Sequence, residues 1–261
     1  MTIADPTAST TVAHPAEERS SRRPVGRFHW LLLVLLVPAL LGVAACSSSG
    51  AGPAASGRSA SALEETSVAR PVVDTEVFAA PDASRPDQVL PARTEFGSPL
   101  ALVVVDDSVP GWLEVQLPTR PNESTGWIRS DGVEVRRVTM AVLVDLEARR
   151  LVVTDAGAVV LEAPVAVGAS ATPTPTGTFF VVDKLATGSA SGPYGPFAFG
   201  LSAHSEVLTE FAGGDGQVGI HGTNDTSSIG NPVSNGCVRV PNDVVTQLNE
   251  LLPLGTPVVV A

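Results

Sequence analysis

Short apolar runs broken by turn residues fill most of this chain. WLEVQ (112–116) alternates apolar with polar, as a half-buried strand does. LALVVV (100–105) and GWIR (126–129) are further apolar runs, and DDSVPG, PTRPNESTG and SDG separate them with turn residues. Residues 68–137 are therefore expected to be all-β. Further on, MAVLVDLEARRLVVTDAGAVVLEAPVAVG predicts three strands joined by tight turns at EAR and DAG, and GTFFVVD, FAFGLSA and QVGIHG are additional strand candidates. Only PNDVVTQLNELL (241–252) has helical spacing, with Val244, Leu248 and Leu251 on one face. Pro241 suits its start, where a missing N–H costs little, and Pro253 and Gly255 stop it. TPVVV returns as a last strand. The expected fold class is mainly β: a small N-terminal β-barrel-like domain (68–137), then a β-rich domain (138–261) with one C-terminal helix.

The start of the chain breaks this pattern. A polar lead with Arg19, Arg22, Arg23 and Arg27 precedes WLLLVLLVPALLGVAA (30–45), which reads as a secretion signal. The run is shorter than the roughly 20 residues of a membrane span, and Pro38 interrupts it. SSSGAGPAASGRSASALEET (47–66) is too small and polar to bury a core, so it reads as a flexible tether reaching about 25 Å on average. The tail of the signal, VAAC, resembles the lipobox of bacterial lipoproteins. That resemblance implies a signal peptide over 1–45, lipid on Cys46 and a tether over 46–67. The folded part would then sit at the outer face of the cytoplasmic membrane, facing the wall, with the lipid's several acyl chains giving a stable anchor. Ordinary cleavage or a retained anchor are the alternatives.

Charge narrows the function classes. Sixteen basic and 27 acidic residues give a net charge of −11, and loss of the signal makes the chain one unit more negative. With Lys184 as the sole lysine and no basic run, nucleic acid is excluded as a partner. If Cys46 carries lipid, Cys237 is a lone thiol in a compartment that tends to oxidise thiols. The ordinary reading of such a residue is a small buried apolar side chain.

Its neighbours point elsewhere. In IHGTNDTSSIGNPVSNGCVRV (220–240), Cys237 follows the turn Ser234-Asn235-Gly236 and lies sixteen positions after His221. A cysteine nucleophile needs thiolate character, which a nearby imidazole supplies, and a glycine turn frees backbone N–H groups for an oxyanion. Alternation along VGIH places Gly219 and His221 on one side, with Val218 and Ile220 on the other. An extended segment from Cys237 would put Arg239 on the same side, about 6.5 Å along, where it can hold a carboxylate. A single Cys and a single His are too few ligands for zinc, so no metal is expected. His204, in LSAHSEV, reads as a partly exposed structural residue. TGSASGPYGPFAFG (187–200) reads as a loop able to cover the cleft, with Tyr194 touching substrate.

IHGT, SSIG and SNGCVRV resemble the catalytic signature of the L,D-transpeptidase (YkuD-type) family, and the likeness extends from PTPTGTFFV (173–181) to GTPVVV (255–260). WLEVQLPTRPNESTGWI likewise resembles the small Src-homology-3-like barrels that accompany cell-wall enzymes, with Trp112 and Trp127 read as barrel core. The transpeptidase resemblance implies a cofactor-free enzyme acting on peptidoglycan stem peptides. It makes Cys237 the nucleophile, His221 the base and the Gly222 carbonyl the group that orients the imidazole, with Asp225, more simply a turn residue in GTNDTSS, as a rival for that role. Gly236 and Cys237 amides would bind the oxyanion, and Ser234, Asn235, Arg239 and Tyr194 would face substrate. The implied reaction cross-links stem tetrapeptides through a cysteine acyl-enzyme with release of D-alanine, and carbapenems would acylate the same sulfur. Asn235 stands where many members have histidine, a departure on the acceptor side. Water capture, giving an L,D-carboxypeptidase, and a silent wall-binding lipoprotein are the alternatives. A sortase would place its histidine and cysteine much farther apart, and papain-like hydrolases reverse their order.

Overall fold

A computed structural model describes residues 65–210 and 213–261. The expected signal, Cys46 and the tether up to residue 64 lie outside the described residues. The first half folds into β1 (Thr66–Pro71), β2 (Thr75–Val77), β3 (Gln88–Leu90), β4 (Leu102–Asp106), β5 (Trp112–Gln116), β6 (Thr125–Arg129) and β7 (Val133–Val138). Five of these form an antiparallel sheet in the order β6-β5-β4-β1-β7, and β2 and β3 form a separate ribbon. β1 and β7 carry no clean apolar alternation and were not expected. β7 is an edge strand whose Glu134, Arg136 and Arg137 are exposed, and charges on an edge discourage pairing with other chains. Trp112 and Trp127 are half-buried rather than core. Trp112 meets Phe78 edge-on at 5.2 Å, and the Arg129 guanidinium lies 4.5 Å from its ring.

The second half adds β8 (Met140–Asp145), β9 (Arg150–Asp155), β10 (Ala158–Pro164), β11 (Val167–Gly168), β12 (Gly177–Ala186), β13 (Phe197–His204), β14 (Gln217–His221), β15 (Pro232–Ser234), β16 (Val238–Arg239), α1 (Asn242–Leu251) and β17 (Pro257–Val260). The main sheet runs β10-β9-β8-β17-β12-β13-β14-β16, with parallel pairing at β8–β17 and β14–β16. The β9–β10 hairpin closes on Ala156 and Gly157, both at positive φ, the geometry that suits strand twist in a two-residue loop.

β12 explains why GTFFVVD is apolar without alternation. Phe179 and Val181 join the core of the second half, while Phe180 and Val182 join the core of the first. A strand buried on both faces needs a continuous apolar run. The described residues accordingly fall in one compact unit. Polar ties reinforce the junction: Gln116 donates to the Thr178 carbonyl at 2.6 Å, and Glu123 accepts from the Thr178 amide at 2.8 Å.

α1 buries Val244, Val245 and Leu248, while Leu251 is only half-buried. These side chains share one core with Phe199, Ile220 and Val238. The helix therefore packs on the core side of β13, β14 and β16. Lys184 Nζ donates to the Asn249 carbonyl near the helix C-terminus, an end that favours cations.

Candidate active site

Alternation along β14 sends Val218 and Ile220 into the core and turns Gly219 and His221 to the opposite face. β14 runs parallel to β16 with Ile220 opposite Val238 and His221 opposite Arg239. One step back, that register opposes Gly219 with Cys237, and the Gly219 amide donates to Cys237 Sγ at 3.4 Å. Cys237, His221 and Arg239 thus share one face across two adjacent strands. Cys237 and His221 are diagonal neighbours, a relation that spans about 7–8 Å between α-carbons in a sheet.

The turn before the cysteine is held by Ser234. Its hydroxyl donates to the Cys237 carbonyl at 2.5 Å and accepts from the Gly236 amide at 3.1 Å. Ser234 is buried, and its hydroxyl is spent within the turn. The Gly236 amide is taken by that hydroxyl, while the Cys237 amide donates to no group among the described residues. Gly236 sits at φ +114°, where a side chain is strained. Asn235 is exposed at the tip of the turn, and Arg239 is half-buried beside His221.

His221 is 5% exposed. Its Nδ1 lies 2.5 Å from the Gly222 carbonyl, so Nδ1–H donates there and Nε2 keeps the lone pair. Burial pushes the imidazole down to about 4. The Gly222 carbonyl pulls it back up in part, and the Arg239 cation adds to the depression. Burial also raises the Cys237 thiol, opposed by the Gly219 N–H and by Arg239. Near neutral pH the resting pair is therefore a thiol beside a neutral imidazole. Tyr194, 43% exposed, tilts over the imidazole at 4.7 Å between ring centroids.

Asp225 does not reach the imidazole, whose Nδ1 is already taken. Its carboxylate accepts from Ser227 Oγ at 2.6 Å, and the residue sits at the N-cap of the 3-10 turn Thr226–Ser228. His204 is fully buried rather than partly exposed. Asn122 brackets its backbone, accepting from its amide at 2.8 Å and donating to its carbonyl at 2.9 Å, and Nε2 meets Asp215 at 3.0 Å. Neither residue approaches the thiol through any of these bonds. Among the described residues, no group of three His, Cys, Asp or Glu side chains could hold a metal ion. Sequence reasoning missed Asn242. Its Oδ1 accepts from the Thr223 amide at 2.8 Å, and its Nδ2 donates to the Ala190 carbonyl at 2.9 Å. An asparagine next to a helix-starting proline reads as part of the helix start, and only the coordinates reveal its distant partners.

Residues 139–260 match the family model for the L,D-transpeptidase catalytic domain, YkuD. A Bacillus subtilis (strain 168) protein named as an L,D-transpeptidase, YkuD, is 34% identical over 119 residues, which are 46% of this chain and 64% of that protein. Its Bacillus licheniformis namesake is 36% identical over 117 residues, 45% of this chain and 62% of that protein. The match spans less than two thirds of either relative. The NMR structure of the E. faecium L,D-transpeptidase catalytic domain is 27% identical, covering 47% of this chain and 96% of that chain with a TM-score of 0.35.

Proposed function

We propose that this protein is a peptidoglycan L,D-transpeptidase working through a Cys237 thioester. The observation that carries the reading is one sheet face bearing Cys237, His221 and Arg239, with the imidazole locked by the Gly222 carbonyl. The family match over 139–260 supports the reaction class.

In this reading His221 Nε2 takes the thiol proton as Sγ attacks the carbonyl of the third stem residue. The Cys237 amide receives the oxyanion. As the tetrahedral intermediate collapses, His221 returns the proton to the departing D-alanine amine and the thioester forms. A side-chain amine of a neighbouring stem then attacks the thioester, and His221 takes that amine's proton. The new amide forms, Sγ departs, and His221 reprotonates it. Arg239 holds a stem carboxylate, and Tyr194 closes over the bound peptide. Water in place of the amine gives the carboxypeptidase outcome.

The N-terminal features extend the proposal. The signal over 1–45, lipid on Cys46 and the tether over 46–67 would hold the enzyme at the outer membrane face. Residues 68–137 would form a Src-homology-3-like domain ahead of a catalytic domain over 138–261. Intact-mass measurement after carbapenem exposure tests the chemistry. One adduct is expected on the wild type and none on Cys237→Ala. An unmodified wild type, or an equal adduct on Cys237→Ala, would refute it.

A further inference from the structure

Pro241 takes the N-cap position of α1, so Asn242 is the first helical residue, and its side chain bonds outside the helix. Here Oδ1 goes to Thr223, just past the Gly222 that orients His221, and Nδ2 goes to Ala190 in the loop that carries Tyr194. Gly195 and Gly222 make the room. A Cβ at Gly195 would lie 2.2 Å from Oδ1 and 2.7 Å from the Gly222 α-carbon. A Cβ at Gly222 would lie 2.3 Å from Oδ1. Gly195 also sits at φ +60°, which favours glycine. Three segments far apart in sequence therefore interlock around one amide.

The geometry points to Asn242 as a positioning residue that sets both the Gly222 carbonyl behind His221 and the Tyr194 loop in front of it. This rests on the reading of His221 as the base and Cys237 as the nucleophile. Its two ends have separable effects. The oxygen fixes the backbone at Thr223, hence the direction of the carbonyl that selects the imidazole tautomer. The amide nitrogen fixes the loop at Ala190, hence the closure of Tyr194 over the site.

Two variants separate these effects. Asn242→Asp keeps an acceptor for Thr223 but removes the donor to Ala190, and Asn242→Ala removes both. The readout is the carbapenem acylation rate of Cys237 against reagent concentration, measured by intact mass on the full chain, with a thermal melt alongside. For Asn242→Ala the limiting rate should fall tenfold or more (order of magnitude, from the loss of orientation). Asn242→Asp should keep more of that rate and lose mainly through a raised half-saturation concentration. A folded Asn242→Ala with wild-type kinetics overturns the inference. So does an Asn242→Asp that matches Asn242→Ala in both parameters, because the two ends would then not act separately. If Asn242→Ala does not fold, Asn242→Asp decides alone, and an unchanged half-saturation overturns the inference. A wild-type chain that never acylates is a different result, and it removes the transpeptidase reading beneath both.

Discussion

His221 is buried as a neutral ring, and that fixes how the protein responds to acid. Burial holds its pKa at about 4, whereas the unfolded ring titrates near the ordinary 6.5. Between those values the unfolded chain binds the extra proton, so the folded state loses stability as pH falls. The contribution is complete above 6.5 and is lost on approach to 4, a difference of roughly 3 kcal/mol. Urea midpoints should therefore fall from pH 7 to pH 4.5, and His221→Gln should flatten that part of the decline. The base form also survives to about pH 4, so the acid limb of Cys237 acylation should lie there; a limb at 6.5 or above would contradict the buried neutral ring. Arg239→Gln removes a cation that depresses both groups. Its His221 should titrate higher by NMR, and its half-saturation for a carboxylate-bearing stem should rise. Cys237 and His221 were picked out in the sequence by the likeness of IHGT and SNGCVRV to the L,D-transpeptidase signature, since one cysteine and one histidine are weak evidence alone. The engagement of Ser234 was not, because a hydroxyl's partner depends on how the turn closes.

Pairing of β14 with β16 is what makes two residues sixteen positions apart into neighbours. Alternation predicted which side each faces, and the parallel register that seats Cys237 beside Gly219 emerged only from the sheet. Ser234→Ala should loosen this turn, because the Gly236 amide and the Cys237 carbonyl both lose a buried partner. A loss of about 1–3 kcal/mol is expected in denaturant unfolding, with slower acylation. Gly222→Ala should be more damaging to activity, since the added carbon meets Asn242 Oδ1 and must displace it. A Gly222→Ala variant that acylates at the wild-type rate would show that the interlock does not matter. Among the elements, the strands with apolar runs and the one helix were readable, although Val245 supplies burial that the helical spacing left to Leu251. β7 was hidden because charged edge positions mask strand periodicity, and the interior strand β1 because it lacks an apolar alternation.

At the scale of the molecule, β12 joins two cores that the sequence presents as separate domains. Phe180 is fully buried among first-half residues although it belongs to a second-half strand. Phe180→Ala should cost about 3–5 kcal/mol. The loss should appear as one lowered transition, because both cores depend on the same strand; two separate transitions would refute that coupling. The β-rich character of both halves was readable, but the shared strand was not, since a continuous apolar run does not say which partner covers each face.

The most direct test of the whole is product analysis with a tetrapeptide-bearing disaccharide, comparing the wild type with Cys237→Ala by mass spectrometry. The expected result is third-to-third-residue cross-linked dimer with one D-alanine released per cross-link, and neither product from Cys237→Ala. Release of D-alanine by both proteins, or by neither, would contradict a cysteine transpeptidase.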